Sequence, residues 1–94
     1  MIRLTQKREG QDGYFVNRER VVCDENGCTG EAITRLAKFE NALEELLARQ
    51  NETVKEMDRL RDEEKTKSVR FRELLANKMM NGVIIALFER NGIE

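Results

Sequence analysis

The stretch GEAITRLAKFENALEELLARQNETVKEMDRLRDEEK, residues 30–65, contains no Pro and, after Gly30, no Gly. Strong helix formers fill it: Ala32, Leu36, Ala37, Ala42, Leu43, Glu44, Glu45, Leu46, Leu47 and Ala48. Thr29 is a fitting N-cap, because its hydroxyl can accept from a free N–H of the first turn. Glu31 places negative charge at the positive end of the helix dipole. The reading is one long amphipathic helix, roughly 54 Å long at about 1.5 Å per residue. Everything before it is a cap and everything after it a return.

Its apolar residues mark one face. Leu36, Phe39, Leu43 and Leu46 are spaced three and four apart, and Met57 and Leu60 resume the register after a polar gap. This is a heptad-like seam with Gln50 and Thr53 at its middle. Ile33, Ala37, Leu47 and Val54 widen the stripe to one side. The gap either lies against few neighbours or uses Gln50 or Asn51 to fix register in an oligomer, as a buried polar residue can. Glu31–Arg35, Glu45–Arg49 and Glu63–Lys67 stand at i,i+4 on the other face and read as a solvated surface.

Ninety-four residues make one domain, organised as a β cap (1–29), the long helix (30–65) and a second helix (68–91). Charged residues are 37% and aromatics 5%, which suits a helical hairpin or coiled coil better than a thick core. A short chain with one apolar stripe buries little surface alone, so self-association, with a dimer first, is a physical expectation. Net charge is −1, which excludes a uniformly phosphate-binding surface. Residues 31–66 carry seven basic and ten acidic side chains, net −3; residues 67–94 carry five and three, net +2. There is no signal-peptide pattern and no apolar run near about 18 residues, so the expectation is a cytoplasmic protein with no membrane partner.

In the cap, Ile2 to Lys7 alternates apolar and polar, the glycines and Asp-Gly between Glu9 and Gly13 mark a turn, and Tyr14-Phe15-Val16 returns. Arg20 to Cys23 is a candidate third strand before a turn at Asp24–Gly27. A small β-hairpin or three-strand meander follows. Cys23 and Cys28 allow three states: reduced apolar side chains around a turn, which a cytosolic location favours; a disulfide across the loop; or half of a zinc site. As metal ligands they are weak candidates, since the chain has no His to complete the set.

After a break at residues 65–68, Ser68 can cap a helix over Val69–Arg90, antiparallel to the first. Met79 to Phe88 is apolar nearly all round, interrupted by Asn81 and Gly82, where the helix could kink. One neighbouring helix cannot cover such a segment. Met79, Met80, Val83, Ile84, Leu87 and Phe88 are therefore the candidate self-association residues. Asn91-Gly92 is a helix stop, with Ile93 free to pack back. The acidic run holding Asp58, Asp62, Glu63 and Glu64 is the candidate partner surface. Lys67, Arg70, Arg72 and Lys78 form a small basic cluster that would serve a nucleic-acid-binding alternative.

The absence of His removes the usual general base, and there is no Walker loop, dinucleotide turn or HExxH. The expectation is a protein with no enzyme activity and no cofactor. The opening Met1-Ile2-Arg3-Leu4-Thr5-Gln6-Lys7 and the run from Gly30 to Glu40 resemble short proteins of phages and prophages of Gram-positive bacteria, as does the ending Phe88 to Glu94. The resemblance covers about a third of the chain. It implies a phage protein, and proteins of that size include anti-CRISPR inhibitors of host defence. The host partner would then be a defence nuclease, blocked sterically by an oligomeric helical protein. A structural or assembly coiled coil of the phage is the remaining alternative.

Overall fold

The computed structural model describes residues 1–94 and is mainly α, with two small antiparallel hairpins preceding two long helices. Contacts divide it into two compact units, Met1–Asn41 and Ala42–Glu94. Helix α1 (Glu31–Asp62) begins in the first and ends in the second.

In the first unit, β1 (Thr5–Lys7) pairs with β2 (Tyr14–Val16), with Gln6 opposite Phe15. The Arg8 N–H donates to the Gly13 carbonyl at 3.2 Å to close the connecting loop. Arg3 lies over the Tyr14 ring, 5.4 Å from its centroid. A single 3-10 turn, Arg18–Arg20, leads to β3 (Val22–Asp24), which pairs with β4 (Gly27–Thr29). The expected meander is thus two separate hairpins. Asp24 is the reason: its carboxylate accepts from the Asn26 N–H at 2.8 Å and folds the chain back onto β3.

Because Thr29 ends β4, it does not cap α1. Gly30 takes that place, with φ of 118° and its carbonyl accepting from the Thr34 N–H at 2.9 Å. A Cβ there would stand 2.7 Å from the Arg20 carbonyl oxygen, so glycine is required on both counts. Two-stranded hairpins are marginal in water. These are tied to the start of α1 by an Arg20–Glu31 ion pair and by the Arg35 guanidinium donating to the Ile2 carbonyl. The anticipated Glu31–Arg35 pair is therefore not made. No side chain of this unit is fully buried.

In the second unit, α1 ends three residues earlier than its composition suggests. Glu64 adopts φ of 58°, the Lys65 N–H donates to the Leu60 carbonyl at 2.8 Å, and the Glu64 N–H donates to the Arg61 carbonyl at 3.0 Å. This is a Schellman stop with a glutamate where glycine is usual. Ser68 then caps α2 (Val69–Arg90), its hydroxyl accepting from the Phe71 N–H at 3.1 Å. Gly92, with φ of 79°, closes α2 with the matching pair of bonds: Ile93 N–H to the Phe88 carbonyl and Gly92 N–H to that of Glu89.

The core is small: Met57, Leu60 and Leu74 are buried, with Phe71 packed against them and Arg61 over its ring. Gln50 contacts residues 78 and 81 while the core joins Met57 and Leu60 to Phe71 and Leu74, so the helices run antiparallel. On α1 the residues of the inward seam are Leu43, Leu46, Gln50, Thr53, Met57 and Leu60, with Val54 and Glu56 half-buried beside them. On α2 they are Phe71, Leu74, Lys78, Asn81, Ile85 and Phe88. Both sets step by three and four, the spacing of a narrow helical seam. The helix passes through Asn81 and Gly82 without a break.

Candidate interaction surface

At about 100° per residue, the two sides of α2 separate cleanly. The inward side is apolar at its ends and polar in its middle. Lys78, Asn81 and Gly82 are half-buried there, and Asn77 and Asn81 line an open groove of about 450 Å³ with Arg49, Thr53, Glu56 and Arg70. Leu75, Met79, Met80, Val83, Ile84 and Leu87 point away from α1. Met79 and Met80 are 65% exposed, Val83 72% and Leu87 49%. Ala76 and Ala86 complete a band about 19 Å long with no charged residue on it. Of the six residues expected to mediate self-association, five lie on this band. Phe88 is the correction: it is half-buried on the side facing α1 and belongs to the chain's own seam.

The inward polarity has a specific cause. The Gln50 amide donates to the Lys78 carbonyl at 3.0 Å, and the Asn81 amide donates to the Gln50 carbonyl oxygen at 3.3 Å. The polar gap of α1 is therefore neither bare nor, within this chain, an intermolecular device. It is a clasp that fixes the register and rotation of α2 against α1. This pairing escaped the sequence reading of each helix alone. Laying the two three-four seams antiparallel would have put Gln50 opposite Asn81.

The acidic candidates are only partly available. Asp58 pairs with Arg61 at 2.9 Å, and Glu63 pairs with Arg59 at 2.9 Å and Lys65 at 3.1 Å, not with Lys67. Asp62 and Glu64 are exposed and take part in no ion pair. The hydrogen bond from Arg59, then its charge, holds the Glu56 carboxyl below the usual range, with a smaller push from Arg70. The hydrogen bond from Lys65, followed by the charges of Lys65 and Arg59, does the same for Glu63. Arg59 in turn is held more firmly protonated, first by its hydrogen bond to Glu56.

The basic candidates do not form one patch. Arg70 and Arg72 lie about 160° apart around α2. Arg70 is near Glu73 at 3.7 Å, Arg72 donates to the Lys67 carbonyl at 3.2 Å, and Lys78 is half-buried toward α1. The cysteines also need correction. Cys23 and Cys28 stand directly opposite across β3 and β4 and are joined in a disulfide, so neither the reduced reading nor the zinc reading describes them. The register explains this: the Asp24–Gly27 turn makes the flanking cysteines cross-strand neighbours, with Cα atoms 4.0 Å apart.

No helix is long and apolar enough to cross a membrane. No protein family, curated protein or solved structure matches the chain.

Proposed function

We propose that this is a non-enzymatic protein-binding module of phage type. It works as an assembled coiled-coil hairpin in the host cytoplasm and blocks a host protein, such as a defence nuclease, by occupying its surface. The observation that carries the binding part is the outer band of α2, a contiguous apolar surface that the chain leaves uncovered. Exposed apolar surfaces of this kind mark interaction sites. The three-four seam supports the coiled-coil description. The phage context and the inhibitor class rest on the resemblance of the opening, Gly30–Glu40 and closing segments. Asp62 and Glu64, unpaired at the end of α1, are the acidic groups through which a basic, nucleic-acid-binding cleft would be engaged.

The test is co-purification of the tagged chain with candidate host nucleases, together with phage plating on cells that express it. Binding with restored plating is expected. No capture and unchanged plating would remove the inhibitor reading. The structural alternative draws on the same seam, and detection of the chain in purified particles would favour it. The nucleic-acid alternative is the less favoured reading, because its four basic residues are dispersed. A gel shift at low salt that disappears on Arg70→Ala and Arg72→Ala would restore it.

A further inference from the structure

We propose that β3–β4 is a redox-operated latch on the start of α1. With Cys23 and Cys28 joined, the hairpin holds Gly30 where α1 begins; with both reduced, it opens and loosens the first turn of the helix. Three observations carry this. First, the disulfide is open to attack: both cysteines are exposed, each in the middle of a three-residue strand. Exposed disulfides are the labile and regulatory ones, and in a thiol-rich compartment they are transient.

Second, little else keeps the hairpin shut. Two strands alone are marginal in water, and every residue from 22 to 29 is exposed, so no packing replaces the bond once it is cut. Beyond its own short ladder, the hairpin is held by the Asn26 N–H bond to the Asp24 carboxylate and by the disulfide. Third, β4 runs directly into the helix start. Gly30 follows Thr29, lies against the Arg20 carbonyl and accepts from the Thr34 N–H at 2.9 Å, while the Arg20 guanidinium pairs with Glu31. When β4 lets go, Gly30 leaves that seat, and the first helical bond and the ion pair go with it.

The chemistry is exchange with a dithiol reductant. One of its thiolates attacks a cysteine sulfur, the S–S bond breaks and a mixed disulfide forms. Its second thiol then attacks its own bridged sulfur and releases the chain, and the reductant leaves as its own disulfide. Two electrons and two protons pass to Cys23 and Cys28.

Amide exchange of the full chain through a dithiothreitol redox titration tests this, with the disulfide fraction read by thiol alkylation and mass. Exchange at Thr34 should become roughly tenfold faster on reduction, follow the disulfide fraction, and recover on reoxidation. The Met57 and Leu60 amides should keep their rates. Cys23→Ser with Cys28→Ser should exchange like the reduced parent in every redox buffer. Faster exchange confined to residues 22–29, with Thr34 unchanged, overturns the latch and leaves the disulfide a local staple. So does a folded Ser variant that protects Thr34 as well as the oxidised parent does, or a disulfide that dithiothreitol leaves intact in the folded chain. Should the Ser variant lose its helix, the titration of the parent decides. Nuclease capture and phage plating test the binding reading separately.

Discussion

The Gln50–Asn81 clasp gives the sharpest test of how α2 is held. Replacing Gln50 by Leu removes two hydrogen bonds, to the Lys78 carbonyl and from Asn81, and leaves a half-buried amide without a partner. At about 1 kcal/mol per bond, rising when a buried group is orphaned, the expected loss is about 1.5 kcal/mol. Asn81→Leu costs less, about 1 kcal/mol, because Gln50 keeps its bond to Lys78. The double Leu variant is different in kind. It orphans neither amide and converts a polar layer of the seam into an apolar one beside Leu46. Replacing both partners by apolar groups is close to neutral, so it should fall within about 1 kcal/mol of the parent. The cycle then yields a coupling of about 2 kcal/mol. Urea unfolding followed at 222 nm, at one fixed protomer concentration, measures it. With a slope of about 1.5 kcal/mol per molar, each single substitution lowers the midpoint by roughly 0.7–1 M and the double restores it. Additivity within about 0.5 kcal/mol would refute the clasp.

Four further outcomes follow from local geometry. Glu64→Gly should stabilise the protein by about 1 kcal/mol in the same urea assay, because a non-glycine residue at φ of 58° is disfavoured and a negative charge sits at the negative end of the helix dipole. Glu64→Ala, which removes only the charge, should gain a few tenths. Ser68→Ala should cost about 1 kcal/mol through loss of the α2 cap, and Ser68→Gly less. Glu56 and Glu63 have folded-state pKa values below the ordinary 4.5, so their stabilising contribution is present above that value and is lost as pH falls through the depressed ones. Arg59→Ala should flatten the part of the acid-unfolding profile due to Glu56, which circular dichroism against pH will show. Reducing Cys23–Cys28, which closes a short loop, should remove about 2 kcal/mol of chain constraint from β3–β4. Faster amide exchange at Val22–Thr29 is the readout, and thiol alkylation of protein taken directly from cells reports whether its compartment keeps the bond.

The sequence disclosed what depends on spacing within one element. The α1 seam, the Ser68 cap, the Gly92 stop and the apolar excess of α2 all follow from residues a few positions apart. What it hid depends on which residues meet across elements. Gly27–Thr29 looked like a turn running into a helix cap, and only the return enforced by Asp24 made it a strand and Cys28 the neighbour of Cys23. The requirement for Gly30 comes from the Arg20 carbonyl, ten residues away and on another element. Glu64 gave no sign of a left-handed residue, since nothing in a glutamate advertises one. Phe88 was grouped with Leu87 because they adjoin in sequence, yet a step of about 100° puts them on opposite sides of the seam boundary.

The rotation of α2 is a choice between two apolar faces. Turned as it is, the helix gives α1 Phe71, Leu74, Ile85 and Phe88 at the ends of the seam and Lys78 with Asn81 in the middle. Turned by half a revolution, it would offer Leu75, Met79, Met80, Val83, Ile84 and Leu87, a larger apolar set. Each of those side chains gains roughly 1.5–3 kcal/mol on full burial, and the polar layer of α1 would oppose part of it by losing its partners. Gln50 instead accepts from Asn81, rewards the first arrangement, and leaves the larger face outward. The same residue that fixes α2 against α1 therefore keeps its interaction surface available. A Gln50→Leu, Asn81→Leu chain should fold as stably as the parent, yet associate less uniformly, with its light-scattering mass spread between species as α2 loses its fixed rotation. An undiminished, single-species assembly in that variant would show that the clasp does not orient the face.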